Sequence, residues 1–195
     1  MILAIDVYYY SKPDEDGNTY CAAGVLFEKF ESNLPAAIQT IRGKEPISPY
    51  IPGRFKDREL PCIIKLLNEF KIYAPEINTI ILDSYVKLLD NNGSKIESLG
   101  DALFNELNSL SFLGYSSNIS IIGVAKTRFG YKKDSRLLKY CVPVYRGLEA
   151  INPLYITSIG CDVKEAAENI KNMFGPNKLP DMLSIADRYS KKYIE

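Results

Sequence analysis

Four carboxylates in this chain stand where an apolar segment begins or ends, and they are the residues from which chemistry can be argued. Asp6 closes the run MILAI and Asp83 closes TIIL, each at the end or middle of a candidate buried strand. Glu59 opens a stretch of helical apolar spacing, and Asp187 follows Leu183 and Ala186 beside the apolar stripe of another. An unpaired carboxylate in such a place costs on the order of several kcal/mol. The chain has no histidine, which removes imidazole bases, Ser-His-Asp triads and histidine-ligated metals. Hydrolytic chemistry would then run on carboxylates, lysine and a hard cation. Mg2+ or Mn2+ takes carboxylate oxygens and keeps waters, and a pair of such ions about 3.5–4 Å apart activates one oxygen and stabilises another in phosphodiester cleavage. Taken singly, each residue has a plainer explanation. Asp6 and Asp83 could be held by backbone donors or an Arg or Lys partner, Glu59 could be a helix-dipole carboxylate, Asp187 a surface residue beside Arg188, and Lys126 an ordinary exposed lysine after IIGVA.

The elements that must position these groups follow from the hydrophobic pattern. Residues 2–10 read as an apolar strand, DEDGN at 14–18 as a turn, 19–29 as a second strand and 36–42 as a third, an opening antiparallel meander. Leu60, Ile63, Ile64, Leu67 and Phe70 repeat at helical spacing, with Pro61 expected in the first turn and Glu59 at the N-terminal end. TIILD at 79–83 and ISIIGVAK at 119–126 have the composition of buried parallel strands, and a helix at about 98–108 carries Leu99, Ala102, Leu103 and Leu107 on one face. Strands near 141–145 and 153–158 lead to DVKEAAENIKNMF, where Asp162 and Glu165 have capping-box spacing and Val163, Ala166, Ala167, Ile170 and Phe174 form a stripe. A last helix is expected from about Pro180 to Tyr193. The pattern predicts the α/β class, a mixed sheet with helices packed on it, in a single domain over residues 1–195.

Bulk properties narrow the setting. With 24 basic and 24 acidic side chains the formal charge is zero, so affinity for nucleic acid must come from local patches. The candidates are Arg54, Lys56 and Arg58, then Lys126, Arg128, Lys132, Lys133 and Arg136, although a charge run is also the ordinary look of a solvated face. Cys21, Cys62, Cys141 and Cys161 are widely spaced and read as reduced, mostly buried thiols rather than a disulfide frame or a zinc site. MILAIDVYYY lacks a basic flank and is too short for a signal peptide or a membrane span, so a cytoplasmic protein with no membrane partner is expected. Ahead of the first helix, Pro49 and Pro52 bracket Tyr50 and Ile51 in a stiff turn that holds an aromatic and an aliphatic side chain outward.

Taken in order, these stretches resemble the endonuclease V family. DVYY looks like that family's D-x-x-Y segment, AAGVLF resembles the strand that follows, and PYIPGRFKDRE is similar to its P-Y-I-P-G turn and R-E helix start. ILD, GVAKTRF, PLYITSIG and LPDMLSIADRYSKK complete the series over nearly the whole chain. The resemblance implies an RNase H-like fold and metal-dependent cleavage near deaminated adenine, that is, inosine. It further implies that Asp6, Glu59, Asp83 and Asp187 bind Mg2+ or Mn2+, with Asp6 and Asp83 nearest the reacting phosphate and Lys126 facing it. Pro49, Tyr50, Ile51 and Pro52 would be a wedge that separates strands beside the damaged base, and Arg54, Arg58 and Arg128 would contact phosphates. The pattern departs after the third acid, where Ser84, Tyr85 and Val86 replace D-G-x-G small residues that border the base pocket, and DNNGSKIESLG replaces an H-P-R segment. The expected partner is DNA or RNA with a deaminated or distorted base, met by a monomer. Two other readings remain open at this level, a diverged nuclease for another distorted structure and a binding protein that keeps the wedge without turnover.

Overall fold

The computed structural model describes residues 1–46, 55–89, 95–109, 114–115, 118–128, 140–147 and 151–192. Strand β1 (Ile2–Tyr9), β2 (Tyr20–Phe27) and β3 (Ala37–Gly43) form the expected meander. Helix α1 (Phe55–Glu69) and a short 3-10 turn (Ala74–Glu76) lead to β4 (Thr79–Leu82). The two-residue strands β5 (Leu88–Leu89) and β6 (Lys95–Ile96) then make a small antiparallel ribbon. Helix α2 (Leu99–Ser109), β7 (Ser120–Ala125), β8 (Val142–Val144), β9 (Leu154–Ile159), α3 (Val163–Asn172) and α4 (Asp181–Lys191) complete the chain order. The strands join in one seven-stranded sheet in the order β3-β2-β1-β4-β7-β9-β8. The β1–β4 and β4–β7 pairs are parallel, and the others in this sheet are antiparallel. This is the mixed α/β sheet that the strand pattern anticipates, in the RNase H-like form that the family resemblance implies.

Helices cover both faces, and the two-residue alternation of the strands decides which side chain goes where. Leu3 and Ile5 of β1, Ile80 and Leu82 of β4 and Ile121 of β7 pack with Ile63 and Leu67 of α1, Phe70 just past it, and Leu99, Leu103 and Leu107 of α2. Ile2, Ala4, Ile81, Ile122 and Val124 face the other way, onto Ala166, Ala167 and Ile170 of α3 and Met182, Leu183 and Ala186 of α4. Each such Leu, Ile or Phe contributes about 1.5–3 kcal/mol by leaving water. Phe70 fits only because Gly24 lies opposite: a Cβ there would stand 2.5 Å from its ring.

Local signals mostly held, and the departures have physical reasons. The turn ahead of β2 is organised by Asp14, whose carboxylate accepts from the Asp16 and Asn18 N–H groups, and Gly17 takes the positive φ of 80°. Asp162 caps α3 by accepting from the Lys164 and Glu165 amides at 2.9 and 3.1 Å. Helix α1 begins at Phe55, so Pro61 lies inside it rather than in its first turn. Pro61 is on the exposed side, where water can serve a carbonyl left without its N–H partner. Phe174 is 49% exposed and Met173 takes the buried place, because α3 stops at Asn172 and the chain turns before Phe174 could complete the stripe. All four cysteines are free; Cys21 and Cys62 are buried, Cys141 and Cys161 half-buried. Among the described residues no helix is long and apolar enough to cross a membrane.

Candidate active site

Sheet register brings the first two acids together. β1 and β4 run parallel with Ile5 opposite Leu82, so Asp6, within β1, and Asp83, just past the carboxyl end of β4, stand on neighbouring strands roughly 4.8 Å apart where the β1–β4 pairing stops. They continue the parity of Ala4 and Ile81, and Lys126 continues that of Val124, so all three lie on the α3/α4 side. Open α/β sheets place ligands at such carboxyl ends. Helix α4 crosses the same end and adds Asp187. One carboxylate oxygen each from Asp6, Asp83 and Asp187 lies within 4.8 Å of the others. Glu59 enters from α1 on the opposite face and lines one cleft with Asp6, Asp83, Ile5, Val7, Ile63 and Leu82.

The electrostatics of this cluster follow from burial and crowding. Burial raises the Asp6 carboxyl above its ordinary range, and the neighbouring Asp83 and Asp187 add to this, while a hydrogen bond from the Ser190 hydroxyl and the Lys126 charge oppose it. Burial pushes Glu59 up to about 8, with Asp6 and Asp83 repelling its charge and Arg58 partly compensating. Burial would also raise Asp187, but the Lys191 and Lys126 ammonium groups, 2.7 and 3.3 Å from its Oδ1, override it and hold the carboxyl below its usual range. Lys126 is penalised by burial yet held above its ordinary pKa by Asp83 and Asp187, with Nζ 2.5 Å from Asp83 Oδ2. Asp83 and Asp187 keep 20% and 27% of their side-chain surface exposed, so the cluster is open to solvent ions. An all-carboxylate donor set, in which burial and then like charge act against the ionised forms of Asp6 and Glu59, fits a hard divalent cation, which takes oxygen ligands and relieves the repulsion.

Other residues singled out from the sequence separate into three groups. The wedge residues Pro49, Tyr50, Ile51 and Pro52 lie outside the described residues, as do Arg54, Lys132, Lys133 and Arg136. Arg58 and Arg128 are described. The Arg58 guanidinium is stacked 3.6 Å over the Tyr9 ring while the Tyr9 hydroxyl donates to the Arg58 carbonyl at 3.0 Å. That double contact ties α1 to β1 and thereby sets the place of the next residue, Glu59. Arg128 is exposed two residues beyond Lys126. Lys56, by contrast, is paired with Glu97.

The segment after Asp83 packs onto β7. Val86 is fully buried, with its N–H donating to Thr157 Oγ1 at 3.0 Å and its carbonyl accepting from Ser98. It is a core residue, because Ser84–Val86 crosses over β7 at Gly123, where a Cβ would meet the Ser84 carbonyl at 2.4 Å. The small residue that the crossing needs is supplied by β7 instead of by the segment itself. Among the described residues Ser84 Oγ, which is buried, has no hydrogen-bond partner. The Tyr85 hydroxyl donates to the Thr127 carbonyl at 2.9 Å, beside Lys126.

Three site neighbours were not singled out from the sequence. Ser190, 0% exposed, donates from its hydroxyl toward Asp6; Lys191 bridges to Asp187; and Lys178 Nζ donates to the Lys126 carbonyl at 3.1 Å. A usable signal existed for two of them. Asp187, Ser190 and Lys191 stand at i, i+3 and i+4 on one helix, the spacing that shares a face.

A family model described as Endonuclease V matches residues 1–188 of the chain. No curated protein matches it. Among solved structures, the chain is similar to Ciona intestinalis Endonuclease V in complex with a 24mer DNA containing an inosine followed by a ribo-adenosine. That likeness has 20% identity and a TM-score of 0.65, covering 98% of this chain and 84% of the other. The catalytic domain of human Endonuclease V is similar at 20% identity and a TM-score of 0.63, over 99% of this chain and 81% of that domain. The NurA nuclease from Sulfolobus solfataricus gives 12% identity and a TM-score of 0.51 over 97% and 78%. At these identities the solved structures speak for the fold.

Proposed function

Since this chain belongs to the Endonuclease V family, we propose that it is a Mg2+- or Mn2+-dependent endonuclease that hydrolyses a phosphodiester bond near inosine in DNA or RNA. The observation that carries this reading is the convergence of Asp6, Asp83 and Asp187 within 4.8 Å, with Glu59 in a cleft lined also by Asp6 and Asp83 and with Lys126 beside Asp83. The inosine-containing DNA held by the Ciona intestinalis protein supports the substrate class.

In this reading Asp6, Asp83, Asp187 and Glu59 hold the metal. When bound, a divalent ion supplies a Lewis acid for the phosphate and a water of lowered pKa. Lys126 leaves its bridge between Asp83 and Asp187 and turns its charge toward the phosphate under attack, where a preorganised cation stabilises the developing negative charge. Arg128 is placed to neutralise a neighbouring phosphate. Pro49, Tyr50, Ile51 and Pro52 act as the wedge, replacing the stacking lost when strands part. We take residues 1–195 as one catalytic unit, working as a monomer in the cytoplasm, where the four free cysteines suit a reducing compartment.

The test is a panel of inosine-, uracil- and mismatch-containing DNA and RNA strands, each with Mg2+, Mn2+ or EDTA. Cleavage one or a few bonds from inosine that requires the metal is expected. Cleavage that persists in EDTA would remove the metal assignment, and binding of every strand without any cleavage would leave a nucleic-acid-binding relative.

A further inference from the structure

Asp6 lies among like charges. One of its oxygens is within 4.8 Å of an oxygen of Asp83 and of an oxygen of Asp187. The χ2 torsion of an aspartate is broad and nearly two-fold, so repulsion alone would rotate the carboxylate away from those neighbours. Something has to hold it. Among the described residues, Asp6 receives a single hydrogen bond, from the Ser190 hydroxyl to Oδ2.

Ser190 is itself fixed. It is 0% exposed, and its Oγ lies 2.8 Å from the Asp187 carbonyl, the backward contact that a helical serine ordinarily makes. A hydroxyl has one proton for two acceptors, and an ionised carboxylate is the stronger of them. The same turn of α4 thus offers Asp187 and Ser190 toward the acids, and the Cys21 thiol lies 3.9 Å from the carbonyl of the residue between them, Tyr189. Holding one oxygen of Asp6 fixes the rotation of the carboxylate that meets Asp83 and Asp187.

We infer that Ser190 is a positioning residue for the carboxylate cluster: its hydroxyl orients Asp6 so that the Asp6, Asp83 and Asp187 oxygens present a ready-made cation site. The inference rests on the reading of that cluster as the metal site, and it concerns metal affinity rather than contact with nucleic acid. Outer hydrogen-bond partners of metal ligands typically account for about 10–100-fold in metal affinity or activity.

The experiment titrates Mn2+ alone into the metal-free full chain by calorimetry, for wild type, Ser190→Ala and Ser190→Thr. It also measures kcat and KM for an inosine-containing single strand as Mn2+ is varied. Ser190→Ala is expected to bind Mn2+ about 10–100-fold more weakly, with cleavage restored by excess Mn2+ and KM for the strand unchanged. Ser190→Thr keeps the hydroxyl and is expected to stay near wild type in both measurements. Wild-type Mn2+ affinity in Ser190→Ala would overturn the inference, even if its thermal midpoint fell, because the role would then be structural. Equal losses in the Thr and Ala variants would overturn it too, since the hydroxyl would not be the agent; should Ser190→Thr fail to fold, the Ala titration decides alone. If wild type bound no Mn2+, the metal-site reading would fall and this inference with it, a result distinct from the other two.

Discussion

Two places in this molecule take charge out of water, and they handle it in opposite ways. At the start of the loop that follows β8, the Arg146 guanidinium is 7% exposed and donates to five backbone carbonyls. These are Lys171 at 3.2 Å, Asn177 at 2.9 Å, Lys178 and Gly175 at 3.2 Å each, and Met173. A guanidinium has five N–H donors, so the site is closed by the chain itself. Around Asp6 of β1 and Asp83 just past β4 the charges are carboxylates, and the described residues give them fewer donors than they can use. Ser190 serves Asp6, Lys126 serves Asp83 and Asp187, Lys191 serves Asp187, and none of the described residues hydrogen-bonds Glu59. A buried charge that the protein satisfies is architecture; a cluster left short of partners is where an external cation can bind. The two are also joined. The Arg146 cage shapes residues 173–178, which lead into α4 and so decide where Asp187 and Ser190 arrive.

The largest effect expected from this contrast is at the open site. Asp6→Ala or Asp83→Asn should reduce cleavage to background while nucleic-acid binding persists, since phosphate contacts lie elsewhere. Removing one of several repelling carboxylates should leave the thermal midpoint of the metal-free protein unchanged or higher, as happens when a functional site is relieved of strain. Single-turnover cleavage together with melting curves in EDTA checks both halves. A variant that melted far lower would mean that the acids are structural and the contrast with Arg146 false.

At the closed site the signs reverse. Arg146→Met leaves five carbonyls without donors and should cost about 3 kcal/mol, given about 1–3 kcal/mol for a buried polar group left unpaired. For a chain of this size that is a fall of roughly 6–12 °C in the thermal midpoint. Cleavage per folded molecule, measured well below that midpoint, should change far less than in Asp6→Ala. Lys126→Ala comes next, with a rate roughly a hundredfold lower, the scale of losing one charge-stabilising donor. Its removal also frees Asp83 and Asp187 from their bridge, so Mn2+ affinity should hold or rise even as the rate drops. Calorimetry beside single-turnover kinetics separates those two quantities.

The open site was more legible in the sequence than the closed one, for a physical reason. A carboxylate ending an apolar run is conspicuous because it contradicts its surroundings, and strand alternation then settles which face Asp6 and Asp83 share. Arg146 sits in an unremarkable VPVYRG stretch, and its five acceptors are carbonyls, which carry no side-chain signature at all. The burial of Val86 was hidden for a related cause. Its position depends on Ser84–Val86 crossing Gly123, a contact between segments nearly forty residues apart, and no local pattern encodes it. The ribbon of β5 and β6 and the early start of α1 escaped because strands of two residues and an exposed proline leave too weak a period to read. Ser190 is the intermediate case. Its spacing from Asp187 was visible, but its bond to Asp6, 184 residues away, required the fold.

The smallest effect compares two carboxylates by the sign of their pH dependence. Asp14 resembles the Arg146 site in miniature, since the Asn18 side chain at 2.9 Å and the Asn18 and Asp16 amides satisfy it, with the Asn18 side-chain bond the largest influence lowering its pKa. A carboxyl lowered on folding adds stability above its unfolded pKa, and that stability is lost as pH falls through the folded value. Asp14→Ala should therefore lower the thermal midpoint at neutral pH, and the deficit should shrink as pH drops below about 4. Glu59 has the opposite sign. Burial raises it to about 8, so in metal-free protein its ionisation opposes folding. That cost is absent below the unfolded value, about 4.3, and grows as pH climbs toward 8. Glu59→Gln should then melt higher than wild type in EDTA at pH 7 to 8 and level with it near pH 4. Saturating Mn2+ should reverse the order at pH 7 to 8, because the ion needs the carboxylate that glutamine has lost. Melting curves of the three proteins at pH 4, 6 and 8, with and without Mn2+, check the signs. If Glu59→Gln proved less stable in EDTA at every pH, Glu59 would be held by protein donors after all, and the open cluster would shrink to the three aspartates.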